Sequence, residues 1–290
     1  PLLSTDGLII INDDSTGVST GYSLTSKEYD KTYVLRRVVE FLSDSPNYQV
    51  FVYDRDNGLY YKFDGSTTVR VYNSSMTKTD TITLPSTAGH NNDGAYYNGN
   101  IYFPNANYIN LYVWNVADNT VSLIPITGIS QPVNGSTRNC GAVCETEADS
   151  GKFYLVCKDT YTNELVHQTD DKMSIYEYDL ATHVATLMVE VPWDCVYVQG
   201  ATCYKGIIYV TCNTQTTGAA SNYTGITVKV VRTDTWELID ELVVSGNFEP
   251  EGMDVIPVDD GYQLMMGMGK YGSMAQAVRF TAPYELNYVY

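Results

Sequence analysis

Asp93-Gly94-Ala95-Tyr96-Tyr97-Asn98-Gly99-Asn100-Ile101-Tyr102-Phe103 opens the clearest unit of an internal repeat. It runs on as an alternating strand over 109–116, the turn Asp118-Asn119-Thr120 and a strand over 121–126. A second copy opens at Cys140-Gly141-Ala142-Val143-Cys144, resumes over 151–156 and carries an outer hairpin over 174–191. A third opens at Gln199-Gly200-Ala201-Thr202-Cys203, turns at Lys205-Gly206 and has outer strands over 226–232 and 236–244. A fourth opens at Glu251-Gly252-Met253-Asp254-Val255 and continues over 262–268 and 275–281. An earlier, degenerate copy fits 49–84, with its turn at Asn57-Gly58.

The marker glycines 94, 141, 200 and 252 are 47, 59 and 52 residues apart. Each step holds four short period-2 strands joined by turn residues, close to the ~40–50 residues of one blade of a β-propeller. One four-stranded sheet cannot cover both its faces, whereas twisted sheets stacked into a closed ring can. The repeat therefore predicts an all-β protein, a β-propeller of five four-stranded blades over 46–290, with a two-layer sandwich ranked second because it leaves bare edges. Residues 1–45 form an N-terminal segment. Its Gly7-Leu8-Ile9-Ile10-Ile11-Asn12 is strand-like and suits the outer strand of the last blade; the C-terminal 284–290 is a rival closing strand. Thr25 with Glu28 resembles a capping box, and Val34, Leu35, Val38, Val39, Phe41 and Leu42 have helical spacing, so a short helix over 26–43 is expected, with two strands as the alternative.

The formal charge of −17, from 34 acidic and 17 basic residues, argues against a nucleic-acid partner and for a neutral or cationic ligand. No apolar run approaches the ~20 residues that cross a bilayer, so a soluble protein without membrane insertion is expected. The chain begins Pro-Leu-Leu-Ser, which reads as a processed form or an excised domain. Twenty-six Tyr among many Thr, Asn, Ser and Gly suit strands and turns, a balance common in extracellular and virion proteins. Of the six cysteines, Cys144 and Cys203 share one repeat position and Cys157 and Cys212 another. Matched positions favour buried thiols over disulfides, and the lack of CxxC or CxxH spacing argues against structural zinc.

The residues preceding the marker glycines, Asp93, Cys140, Gln199 and Glu251, are expected to converge on the ring axis, with Asn92 and Asn139 beside them. Such oxygens suit a divalent cation such as calcium, ordered water or the polar part of a ligand; the plain alternative is a wet channel. Glu249 and Glu251 flank Pro250, a pair suited to acid–base work if burial raises one of them and otherwise merely solvated. His90 faces the same rim, while His167 and His183 read as surface. Tyr96, Tyr97, Tyr108, Tyr161 and Tyr223 are candidate exposed rings for sugar faces. No GxSxG, HExxH, P-loop or GxGxxG occurs, and no residue is assigned a catalytic role.

Tyr178-Asp179-Leu180-Ala181-Thr182 and Gln199-Gly200-Ala201 resemble β-propeller repeats in general. Glu249-Pro250-Glu251-Gly252-Met253 with Val198-Gln199-Gly200-Ala201 resembles the five-bladed platform of Gram-positive phage receptor-binding proteins and the helveticin-like bacteriocins. The phage likeness implies a homotrimeric tail-tip protein, on the virion or otherwise extracellular, that attaches to host cells by binding a cell-surface carbohydrate such as teichoic acid. The Pro-Glu-Gly segment is also similar to gluconolactonase-type propellers, which implies Glu251 as a metal ligand, although that family's other ligands find no match. The expectations are a glycan-binding module at His90, Asp93, Tyr96, Tyr108, Gln199, Tyr223, Glu249 and Glu251; a metal-dependent lactonase or esterase; or a structural, protein-docking propeller.

Overall fold

A computed structural model describes residues 18–27, 31–40, 49–64, 67–85, 91–104, 109–131, 137–160, 173–193, 195, 198–213, 226–244, 249–258, 261–270 and 274–281. It is all-β, with no helix among the described residues. The chain begins with β1 (Val18–Ser26) and β2 (Lys31–Glu40). A first sheet follows from β3 (Val50–Asp54), β4 (Leu59–Asp64), β5 (Thr68–Tyr72) and β6 (Lys78–Thr83). The second comprises β7 (Ala95–Tyr97), β8 (Asn100–Pro104), β9 (Asn110–Asn115) and β10 (Thr120–Pro125), and the third β11 (Thr137–Glu145), β12 (Lys152–Thr160), β13 (Met173–Asp179) and β14 (Val184–Val191). After them come β15 (Ala201–Tyr204), β16 (Ile207–Asn213), β17 (Ile226–Arg232) and β18 (Leu238–Val244), then β19 (Glu249–Val258), β20 (Gly261–Lys270) and β21 (Met274–Thr281).

Each of the first three sheets is an antiparallel meander running outward from its first strand. Local chemistry explains the hairpins. Asn98-Gly99 and Lys205-Gly206 each place both residues at positive φ, the turn whose twist matches paired strands. At the outer hairpins, Asn73, Asn115 and Asp179 each accept backbone N–H bonds from residues two to four positions on.

The five inner strands contact one another in a closed circuit, β3 to β7, β11, β15, β19 and back to β3. Apolar layers lie between successive sheets. Val50, Phe63 and Trp114 join the first two; Tyr102, Phe153 and Tyr178 join the second and third; Val156, Ile175 and Val210 join the third to β15–β18; and Phe51, Tyr60, Ile256 and Met265 join β19–β20 to the first sheet. Burying each such side chain stabilises the fold by about 1.5–3 kcal/mol. This is the ring that the repeat demands.

Two expectations are corrected. The sheets number four rather than five separate blades, because β15–β18 and β19–β21 belong to one nine-stranded sheet ordered β15-β16-β17-β18-β1-β2-β21-β20-β19. The expected helix over 26–43 is absent: 31–40 is β2. The physical reason is the same for both. The last strands β18 and β21 have edges that need partners, and β1 takes the first (Leu24 opposite Val244) while β2 takes the second (Arg37 opposite Val278). Both rival closing strands, 7–12 and 284–290, lie outside the described residues.

The cysteines divide. Cys195 and Cys212 form a disulfide with Cα atoms 5.2 Å apart, while Cys140, Cys144, Cys157 and Cys203 are free thiols, the first three buried. The expected buried thiols therefore hold for Cys144 and Cys157; Cys203 is a free thiol but only half-buried, and Cys212 is paired with Cys195.

Candidate functional site

At the starts of the inner strands Asp93, Gln199 and Glu251 come together and are engaged by protein groups, whereas Cys140, the fourth residue before a marker glycine, packs instead in the apolar layer between the second and third sheets. Asp93 is fully buried. Its Oδ2 accepts the backbone N–H of Val143 at 3.0 Å and of Ala201 at 2.9 Å, and its Oδ1 that of Met253 at 3.4 Å. One carboxylate on β7's leading edge thus ties together β11, β15 and β19. Burial pushes its carboxyl well above the ordinary value, and the backbone amides pull against that shift. Beside it, Gln199 Nε2 donates to Glu251 Oε1 at 3.3 Å, Asn213 Nδ2 donates to Gln199 Oε1 at 2.5 Å, and the Gly252 N–H reaches the Gln199 carbonyl at 2.8 Å. Gln199 and Glu251 are each about 3 % exposed. These groups act as a fastening between sheets. Among the described residues no three His, Cys, Asp or Glu side chains are grouped to hold a metal ion.

The cavity runs from Gly94, Ala95 and Ala201, near the starts of the inner strands, to the ends where those strands finish. It encloses about 550 Å³. Its wall includes Tyr53 and Arg55 from the end of β3 and its turn, Tyr96 of β7, Cys144 and Glu145 of β11 with Thr146 and Glu147 after it, Thr202 to Gly206, and Met253 to Val255. Neither Asp93, Gln199 nor Glu251 lines it.

The charged groups of this wall are tied to the scaffold. Arg55 pairs through Nη1 with Glu145 Oε2 and through Nη2 with Asp149 Oδ1 at 3.1 Å. Asp254 Oδ2 accepts the Tyr53 N–H at 2.9 Å, and Oδ1 accepts the N–H of Val255 at 2.8 Å. Asp254 keeps part of its surface open to the cavity, but loss of water around it pushes its carboxyl up to about 7; the two amides and Arg55 oppose this, and the Glu145 charge adds to it. Burial likewise raises Glu145, against the pull of Arg55. Desolvation and the charge of Asp254 both raise Tyr53. Lys205 Nζ sits 5.1 Å from the centre of the Tyr204 ring. Asp254 and Glu145, both with raised proton affinity, Arg55, Tyr53, Tyr96, Tyr204 and two threonines therefore line one cavity.

Of the expected site residues, Tyr96 lines this cavity, but as a buried ring rather than an exposed one. Its hydroxyl donates to Asp56 Oδ2 at 2.9 Å and accepts the Gly99 N–H at 3.0 Å. His90, Tyr108, Tyr161, His167 and Tyr223 and the side chain of Glu249 lie outside the described residues. His183 stands at an outer hairpin, stacked on Tyr178. Tyr53, Arg55, Glu145, Tyr204, Lys205 and Asp254 did not stand out in the sequence. A signal existed: Glu145 and Tyr204 both lie four residues beyond a marker glycine, at the finishing end of their inner strands. No protein-family model and no curated protein matches the chain.

Proposed function

We propose that the protein is a binding module for a cell-surface glycan or glycopolymer of the teichoic-acid kind, and that this cavity is where the sugar sits. The observation that carries this reading is the composition of the cavity wall. Flat tyrosine rings offer faces to sugar CH groups, and Asp254, Thr146, Thr202 and Arg55 offer acceptors and donors to hydroxyls. A setting on a virion or as a secreted protein, host-cell attachment and a homotrimeric assembly follow from the resemblance to phage receptor-binding platforms.

The test is a screen of the full chain against glycans and intact bacterial walls. Binding to walls is expected, with loss after their glycopolymers are stripped, and Tyr204→Ala is expected to weaken it at least tenfold at unchanged circular dichroism. Binding that survives both changes sinks the proposal. Hydrolysis is a second reading, favoured by Asp254 and Glu145 as a raised carboxyl pair on one cavity. Turnover of aryl glycosides or lactones that disappears in Asp254→Asn would put it first.

A further inference from the structure

We infer that the ligand of the cavity carries a positively charged amine, and that Asp254 is the group that receives it. The inference rests on the carbohydrate reading of the cavity and narrows it to amine-substituted saccharides.

Charge balance within the wall is the first ground. Its guanidinium is already matched by two carboxylates, Glu145 and Asp149. Its ammonium, on Lys205, lies over the Tyr204 ring. Asp254 forms no ion pair among the described residues, and its contacts are two backbone amides, one on each oxygen. A carboxylate oxygen accepts about two hydrogen bonds, so each retains capacity for a donor arriving from the cavity.

A second, independent ground is Glu145. Its side chain is nine-tenths buried; Oε2 is held by Arg55, and Oε1 has no hydrogen-bond partner among the described residues. Oε1 has almost no surface open to the cavity, so Glu145 contributes charge rather than a contact: with Asp149 it places two carboxylates against the single Arg55 guanidinium and leaves this part of the wall net negative. Asp254 on β19 and Glu145 on β11, with β15 between them and the Tyr53 ring in the same wall, make this cavity better suited to an ammonium group than to a carboxylate or phosphate. The net charge of −17 favours the approach of cations to the whole surface.

The sign of the pH effect follows from the groups around Asp254. These are Tyr53 and Arg55 from β3 and its turn, Tyr60 on β4, and Cys144 and Glu145 on β11. Arg55 stays charged throughout, and burial raises the two tyrosines and the thiol, so they stay neutral. With Asp254 titrating at about 7, it is mostly ionised at pH 8 and mostly protonated at pH 6. Amine affinity should therefore fall about tenfold between those values.

Matched 2-aminoethyl and 2-hydroxyethyl glycosides of a panel of common sugars test this by calorimetry at pH 8 and pH 6. The aminoethyl ammonium keeps its charge at both values. Expected are at least a tenfold preference for the aminoethyl member at pH 8, its shrinkage at pH 6, and its loss at both in Asp254→Asn. Equal affinities at pH 8, or a preference untouched in Asp254→Asn, overturn the inference while leaving carbohydrate binding in place. Should that variant not fold, the pH dependence of the unaltered protein still decides. If no glycoside of either series binds, the carbohydrate reading falls and this inference with it.

Discussion

Asp93 shows how much one buried side chain can hold. Its carboxylate accepts backbone N–H groups from three inner strands other than its own. An amide in its place turns an N–H₂ toward at least one of those donors and leaves it unmatched in a dry interior. Asp93→Asn is expected to lower unfolding free energy by about 2–4 kcal/mol, read from urea denaturation, with the transition still cooperative. The sequence placed Asp93 on the axis correctly, through its position before a marker glycine. Its partners were illegible, because a backbone amide has no letter: every non-proline residue offers the same donor. Asp254 was hidden for a related reason, since an acid in a Met-Asp-Val strand looks solvated until the sheet that desolvates it is known.

At the scale of the strand, the marker glycines turn out to be points of contact between neighbouring inner strands. A Cβ on Gly141 would lie 2.7 Å from the Val198 carbonyl oxygen, and one on Gly252, whose φ is +77°, 2.7 Å from the Phe51 amide nitrogen. Gly141→Ala must therefore push β11 away from the segment leading into β15, and a loss of about 1–3 kcal/mol is expected in the same denaturation assay. Among the outer strands Gly128 makes a similar approach, a Cβ there running into the Ala185 carbonyl oxygen of β14, while the outer turns are set locally by Asn73, Asn115 and Asp179. At this scale the helical reading of 26–43 failed and its strand alternative held over 31–40. Val34, Leu35, Val38 and Val39 satisfy helical spacing, yet β-branched residues also suit a strand, and an open edge on β21 decides between the two.

For the whole molecule, the N-terminal hairpin acts as the clasp between the last two repeat units. β1 and β2 bond to each other and also to β18 and β21, so their removal bares two long edges at once. A chain lacking 1–40 is expected to melt about 10 °C or more lower and to self-associate, checked by calorimetry and size-exclusion chromatography. The recurrence of four short alternating strands was enough, read along the chain, to establish that the sheets stack into a ring, because alternation sets which face of each strand is apolar and apolar faces must be covered. It also located the polar residues that meet at the axis. What only the tertiary structure decided was which strands close the circle, where the cavity lies among the inner strands, and which carboxyl groups lose their water. Those outcomes depend on edges, backbone amides and enclosed space brought together from residues far apart in the chain, and local pattern carries no record of them.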